Sequence, residues 1–203
     1  MLNITKVTDS RGTVLIQDPP LAQMLFQSTV ASWFWLAVRV FAGWQFLDAG
    51  WHKLNTPAWV DGSGQAISGF WKGALAVNNG KPVITYDWYR GFIQWLVDTN
   101  SAGWFSYVIV GGEIAIGLGL ILGAFVGIAA FGGLLMNMAF LLAGTVSTNP
   151  GLAIMGVILV LAWKNAGYIG LDRFLLPLLG TPWQHLPAFR STTQPLTAPM
   201  LAR

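Results

Sequence analysis

Four apolar stretches dominate the pattern of the chain, at about residues 29–51, 104–122, 124–146 and 152–167. Each approaches the ~20 residues with which a helix crosses a bilayer. The first is unusual because its second half, Val38–Leu54, reads VRVFAGWQFLDAGWHKL and carries five polar groups. At 3.6 residues per turn these sort onto two faces. Arg39, Gly43, Phe46, Gly50 and Lys53 form one stripe, whereas Gln45, Asp48 and His52 form another on roughly the opposite side. Glycines on the first stripe invite a close neighbouring helix. An arginine at mid-span costs about 2.5–3.5 kcal/mol on insertion scales, so it needs a partner. Such a helix is either glued into a bundle by polar contacts or carries a site at its outer end.

The connections set the topology. Gly123 alone separates the second and third stretches, and Thr148-Asn149-Pro150-Gly151 turns between the third and fourth. Short turns force up-down neighbours, so the expected fold is all-α, an integral membrane antiparallel four-helix bundle spanning residues 28–180. Residues 1–27 lack the basic start, apolar middle and cleavage site of a signal peptide. They read instead as a retained interfacial segment: a short strand at Thr13–Gln17, a helix start at Asp18-Pro19-Pro20, and an apolar ramp through Leu21, Met24 and Leu25. Residues 181–203 form a C-terminal tail.

The connection at residues 54–103 is far longer than usual and too aromatic for a disordered linker. Two helical pieces can be read in it. Ser63 would cap one with Ala66, Ile67, Phe70, Trp71, Ala74 and Leu75 on its apolar face, stopping at Asn78-Asn79-Gly80. Asp87 would cap the other, with Trp88, Phe92, Trp95 and Leu96 aligned. The pair is either a lid flat on the membrane surface or an aromatic and basic cover over the end of the first helix.

Composition confirms the class and removes several chemistries. Hydrophobic residues make up 54% and charged residues 9%, against about 25% charged in soluble domains. The formal charge of +3 therefore reflects membrane topology rather than nucleic-acid binding. Most of the eleven tryptophans sit near expected helix ends, as an interfacial belt does. Without cysteine there is no iron–sulfur cluster on thiolates and no c-type haem. His52 and His185 cannot hold a haem between helices at one depth, and no His/Asp/Glu cluster has metal-ligand spacing. Lys6, Arg11, Lys164, Arg173, Arg190 and Arg203 share the side of the termini, against Lys53, Lys72, Lys81 and Arg90 on the other. The bias expects cytoplasmic termini. Glu113 and Asn137, alone in the second and third spans, are expected to join Arg39 in a mid-membrane network.

R-x3-G-x2-F-x3-G-x2-K (Arg39, Gly43, Phe46, Gly50, Lys53), G-G-E (Gly111, Gly112, Glu113) and N-A-G-Y-I-G-L-D-R (Asn165–Arg173) together resemble the DoxX/DoxD membrane proteins. The long first connection resembles the DoxD branch, typified by the large subunit of thiosulfate:quinone oxidoreductases. The resemblance implies four spans in a bacterial or archaeal cell membrane, a diffusible quinone as electron acceptor and a second subunit. In such a reaction Lys53 and Arg90 would hold sulfur oxyanions. Asp48 and His52, one turn apart, would relay protons, and Trp51 would wall the quinone ring. A non-catalytic accessory subunit of a larger respiratory or photosynthetic membrane complex is the alternative, and a lipid or solute carrier a third.

Overall fold

The computed structural model describes residues 18–180 and the backbone of residues 7–8 and 14–15. The C-terminal tail, with His185, and most of the N-terminal segment lie outside the described residues. β1 (Val7–Thr8) pairs antiparallel with β2 (Val14–Leu15), within the strand expected at Thr13–Gln17. Pro20 opens α1 (Pro20–Gln27), where its missing N–H costs nothing. A 3-10 turn at Thr29–Ala31 leads into α2 (Ser32–Leu54). The indole of Trp35 donates to the carbonyl of Leu25 (2.6 Å) and so ties α1 back against α2.

Four apolar helices follow from the four stretches. Two are long enough to cross a membrane: Thr29–Leu54, with 26 residues, and α6 (Ala102–Leu122), with 21. Shorter are α7 (Val126–Leu142, 17 residues) and α8 (Asn149–Leu161, 13 residues), the latter followed at once by α9 (Trp163–Ala166). Gly123, in the left-handed region at φ +67°, ends α6 and lets α7 turn back. Buried Trp35, Phe46, Leu120, Val126, Ala130 and Leu159 knit α2, α6, α7 and α8 into one core. α10 (Asp172–Leu178) closes the described chain.

The long connection is ordered and contains more than two helices. It comprises α3 (Pro57–Val60), α4 (Gln65–Leu75), a hairpin of β3 (Val77–Asn78) and β4 (Lys81–Pro82), and α5 (Asp87–Asp98). Asn79 and Gly80 both have positive φ, the requirement of a tight primed hairpin turn. What reads in sequence as a helix stop is therefore also a hairpin. Ser63 does not cap α4, whose cap position is Gly64 at φ +62°. Its hydroxyl instead accepts from Gln65 N–H (3.2 Å) and binds Asp61, whose carboxyl these Ser63 bonds hold below the usual range. Asp87 is the first residue of α5 rather than its cap, where its charge suits the helix dipole. A second core of Ile67, Trp71, Ile84, Ile93, Leu96 and Ala143 seats α4 and α5 on the ends of α6 and α7.

The closest seam runs between α2 and α6. A Cβ on Gly43 would lie 2.9 Å from the Gly117 carbonyl oxygen, and one on Gly117 would lie 2.6 Å from the Leu47 nitrogen. A Cβ on Gly50 would lie 2.8 Å from Ile114. The backbones are thus in near contact, as the glycine stripe anticipates. Gly111, by contrast, has open space around it. Gly117→Leu is expected to destabilise the purified protein by about 1–3 kcal/mol through overpacking. Gly111→Ala should leave it unchanged or slightly more stable. Thermal unfolding in detergent compares the two, and equal midpoints would contradict the seam.

Candidate functional site

The α2–α6 register distributes the polar side chains. Running antiparallel, Gly50 meets Glu113 and Ile114, Gly43 meets Gly117 and Leu120, and Arg39 reaches Leu120 and Ile121. Arg39 and Gly50 are eleven residues apart, about 16 Å along a helix at 1.5 Å per residue. Arg39 therefore cannot pair with Glu113. The expected Arg39–Glu113–Asn137 network is replaced by two separate clusters, one at each end of the seam. The expectation equated the midpoints of the two spans, whereas glycine contacts set the register.

At the Gly123 end, Arg39 is 1% exposed. Its Nη1 donates to the carbonyls of Leu120 (2.5 Å) and Ile121 (2.8 Å), and its Nη2 donates to that of Ile169. The guanidinium thus satisfies carbonyls that the end of α6 leaves unpaired, and its charge suits that end of the dipole. Asp172 closes the same junction from the other side. Its carboxylate accepts from the N–H groups of Phe125 (2.6 Å) and Val126 (2.9 Å) at the start of α7. Burial pushes the Asp172 carboxyl above the usual range, opposed by those two hydrogen bonds and the nearby Arg39 charge. A Cβ on Gly170 would lie 2.8 Å from the Leu122 carbonyl oxygen and 3.0 Å from Arg39 Nη2. Arg39, Gly123, Gly170 and Asp172 form one structural clasp. The sequence placed Asp172 in the N-A-G-Y-I-G-L-D-R motif but gave it no role, because a helix cap from 47 residues away leaves no local signature.

At the other end lies a cavity of about 400 Å³. α2 contributes Gln45, Phe46, Asp48, Ala49 and Lys53, α6 Glu113, and α7 Asn137 and Phe140. The turn of residues 145–149 closes one side, while Trp59 and Phe70 reach in from α3 and α4. Lys53 Nζ donates to both oxygens of Glu113 at 2.7 Å and lies 5.4 Å from the Trp59 ring centre. Asn137 is 2% exposed, and its amide Nδ2 has no partner among the described residues. The cavity holds two carboxylates against one ammonium that is already engaged.

The other expected site residues lie in different places. Consecutive helical side chains point about 100° apart, and Trp51, His52 and Lys53 diverge accordingly. Only Lys53 turns into the cavity. Trp51 lines an apolar groove on the outside of α2 and α6, with Trp44, Leu54, Ile114, Leu118 and Asp48. The His52 side chain is 77% exposed, with Nε2 3.4 Å from the Asp48 carboxylate. Asp48 touches both cavity and groove. Arg90 is not in the cavity; its Nη2 donates to the Leu75 carbonyl (2.9 Å), so it joins α5 to α4. The cover over the end of α2 comes from Trp59 and Phe70, and it is aromatic rather than basic.

Long apolar helices, with ionisable residues gathered at the two ends of a glycine seam, define a helical membrane domain. A family model described as DoxX matches residues 34–146, and the chain belongs to the DoxX family. No curated protein and no solved structure matches the chain. The matched region contains the seam, the Lys53–Glu113 pair and Asn137.

Removing one partner of a buried ion pair costs about 3–5 kcal/mol, whereas replacing both by apolar residues is often neutral. Glu113→Leu and Lys53→Met are each expected to lower the unfolding midpoint sharply, and the double variant should recover most of the loss. A double variant less stable than either single one would show that the pair does not act as a unit.

Proposed function

We propose that this DoxX protein is the membrane subunit of a quinone-linked oxidoreductase and that the cavity at the end of α2 receives the quinone. The observation that carries the reading is a cavity of about 400 Å³ in which a buried, unpartnered amide, aromatic walls and a charged pair converge. Ligand pockets of about 300–1,000 Å³ with a few convergent polar groups are typical small-molecule sites. Quinone reduction needs two electrons and two protons. Asp48 supports a proton route, because its carboxylate lines the cavity while its partner His52 is in the open. Lys53, bound to both oxygens of Glu113, orients that carboxylate beside the cavity.

Thiosulfate is the proposed electron source: two thiosulfate dianions join through a new S–S bond to give tetrathionate. The two electrons released, with two protons, convert the quinone to the quinol. The cavity itself is a poor host for dianions, with Asp48 and Glu113 facing one engaged ammonium. Anion oxidation therefore belongs at the aqueous face or on a second subunit, with Arg90 no longer a candidate within the cavity. The accessory-subunit alternative assigns the same cavity a purely structural role.

The same proposal takes α2, α6, α7 and the α8–α9 pair as four antiparallel spans in the cell membrane, with cytoplasmic termini. α7 covers about 25 Å and the α8–α9 pair about 27 Å at 1.5 Å per residue, close to a hydrocarbon core of about 30 Å. Reporter fusions at the termini are expected to read cytoplasmic, and an exported C-terminus would reverse this orientation.

His52→Ala and Asp48→Asn alter side chains at the open end of α2, so they leave the fold intact. Both are expected to slow thiosulfate-dependent quinone reduction at least tenfold while assembly with partner subunits persists. Full turnover in both variants would end the proton-relay assignment, and loss of partners without a catalytic defect would favour the accessory role.

A further inference from the structure

We infer that the cavity discriminates its ligand by charge and by one hydrogen bond: it takes a neutral, planar, carbonyl-bearing molecule, with the Asn137 amide donating to the carbonyl oxygen. The inference rests on the quinone reading above and names the specificity-determining donor in that site.

Asn137 stands on α7 among Leu134, Leu135, Met136 and Met138, where an amide is out of place unless it is used. The residue is 2% exposed, and its Nδ2 meets no acceptor among the described residues. A buried donor left unpaired is destabilising, and native proteins keep few of them. Of the unpaired buried atoms among the described residues, the Asn137 Nδ2 alone belongs to a side chain that lines the cavity, and the amide marks where an acceptor arrives. The cavity it lines is walled by Phe46, Phe70, Phe140 and Trp59, rings that suit a flat unsaturated molecule. Glu113 already offsets the Lys53 ammonium, both of its oxygens accepting from Nζ at 2.7 Å, so an incoming anion would find one remaining N–H and no unbalanced positive charge. Asp48 adds a second carboxylate. An oxyanion would thus meet net negative charge, whereas a neutral carbonyl meets a free N–H donor.

The test uses the full chain in detergent micelles and a 1,4-benzoquinone carrying a single isoprene unit, with affinity read by isothermal titration calorimetry. Asn137→Leu keeps the side-chain volume and removes the donor. It is expected to weaken binding at least tenfold, equivalent to about 1.4 kcal/mol, with no fall in the unfolding midpoint, because the unpaired amide is gone. Asn137→Ala, which cannot overpack α7, should show the same loss and serves if the leucine variant folds poorly. Sodium thiosulfate in excess should not displace the quinone from the wild-type protein. Wild-type affinity in both variants would overturn the Asn137 assignment yet leave the quinone reading standing if turnover persists. Displacement by thiosulfate would overturn the preference for a neutral ligand. A wild-type protein that binds no benzoquinone would overturn both this inference and the quinone reading.

Discussion

The register of α2 against α6 is the constraint on which the rest of this structure depends. Gly43, Gly50 and Gly117 bring two helix backbones into near contact, so neither helix can slide without a backbone clash. In a bilayer, where lipid tails are as apolar as leucine, such close packing rather than hydrophobic exclusion holds helices together. Once the register is set, every charged group on the two helices has its level assigned. Lys53 falls beside Glu113, and Arg39 falls at the end of α6.

The two clusters then divide their labour by chemistry. The guanidinium of Arg39 and the carboxylate of Asp172 are used up by backbone groups at one helical junction, where α6 ends and α7 begins. Only the Nε of Arg39 is left without a partner there among the described residues. The Lys53–Glu113 end differs, since it borders a cavity and leaves the Asn137 amide unspent. Residues that look alike in sequence, each an isolated polar group in an apolar helix, thus separate into fasteners and a candidate site. Burial does not make the distinction, because Arg39, Glu113 and Asn137 are all buried. Position does: Glu113 and Asn137 line the cavity and Arg39 does not.

The lid sits at the cavity end of the seam. α4 and α5 form their own core on the ends of α6 and α7. Tyr89 donates its hydroxyl to the Ala139 carbonyl (2.7 Å), and burial raises the pKa of that phenol. Through Trp59 and Phe70 the same connection roofs the cavity. A structured connection of this length is therefore part of the site rather than an insertion beside it.

Much of this was legible in the sequence. Apolar runs near twenty residues announced four helices, and the period of Arg39, Gly43, Phe46, Gly50 and Lys53 announced their packing face. The aromatic connection announced two helical pieces, but of the face read for the second only Leu96 is buried, with Tyr89 and Ile93, whereas Trp88, Phe92 and Trp95 are exposed. These features are local, governed by repeat length and by what lipid or water tolerates. The partners of the charges were not legible. Pairing depends on how far one helix slides along another, and midpoints of apolar runs carry no information about that. Periodicity set Lys53 on the packing stripe, apart from His52, yet it could not show that Lys53 meets Glu113 beside a cavity until the neighbouring helices were in place. Asp172 caps a helix that begins 46 residues earlier, a relation created only when the chain closes on itself. The sequence alone determined which residues needed partners; tertiary structure decided which partners they found, because register and closure are properties of the packed backbone.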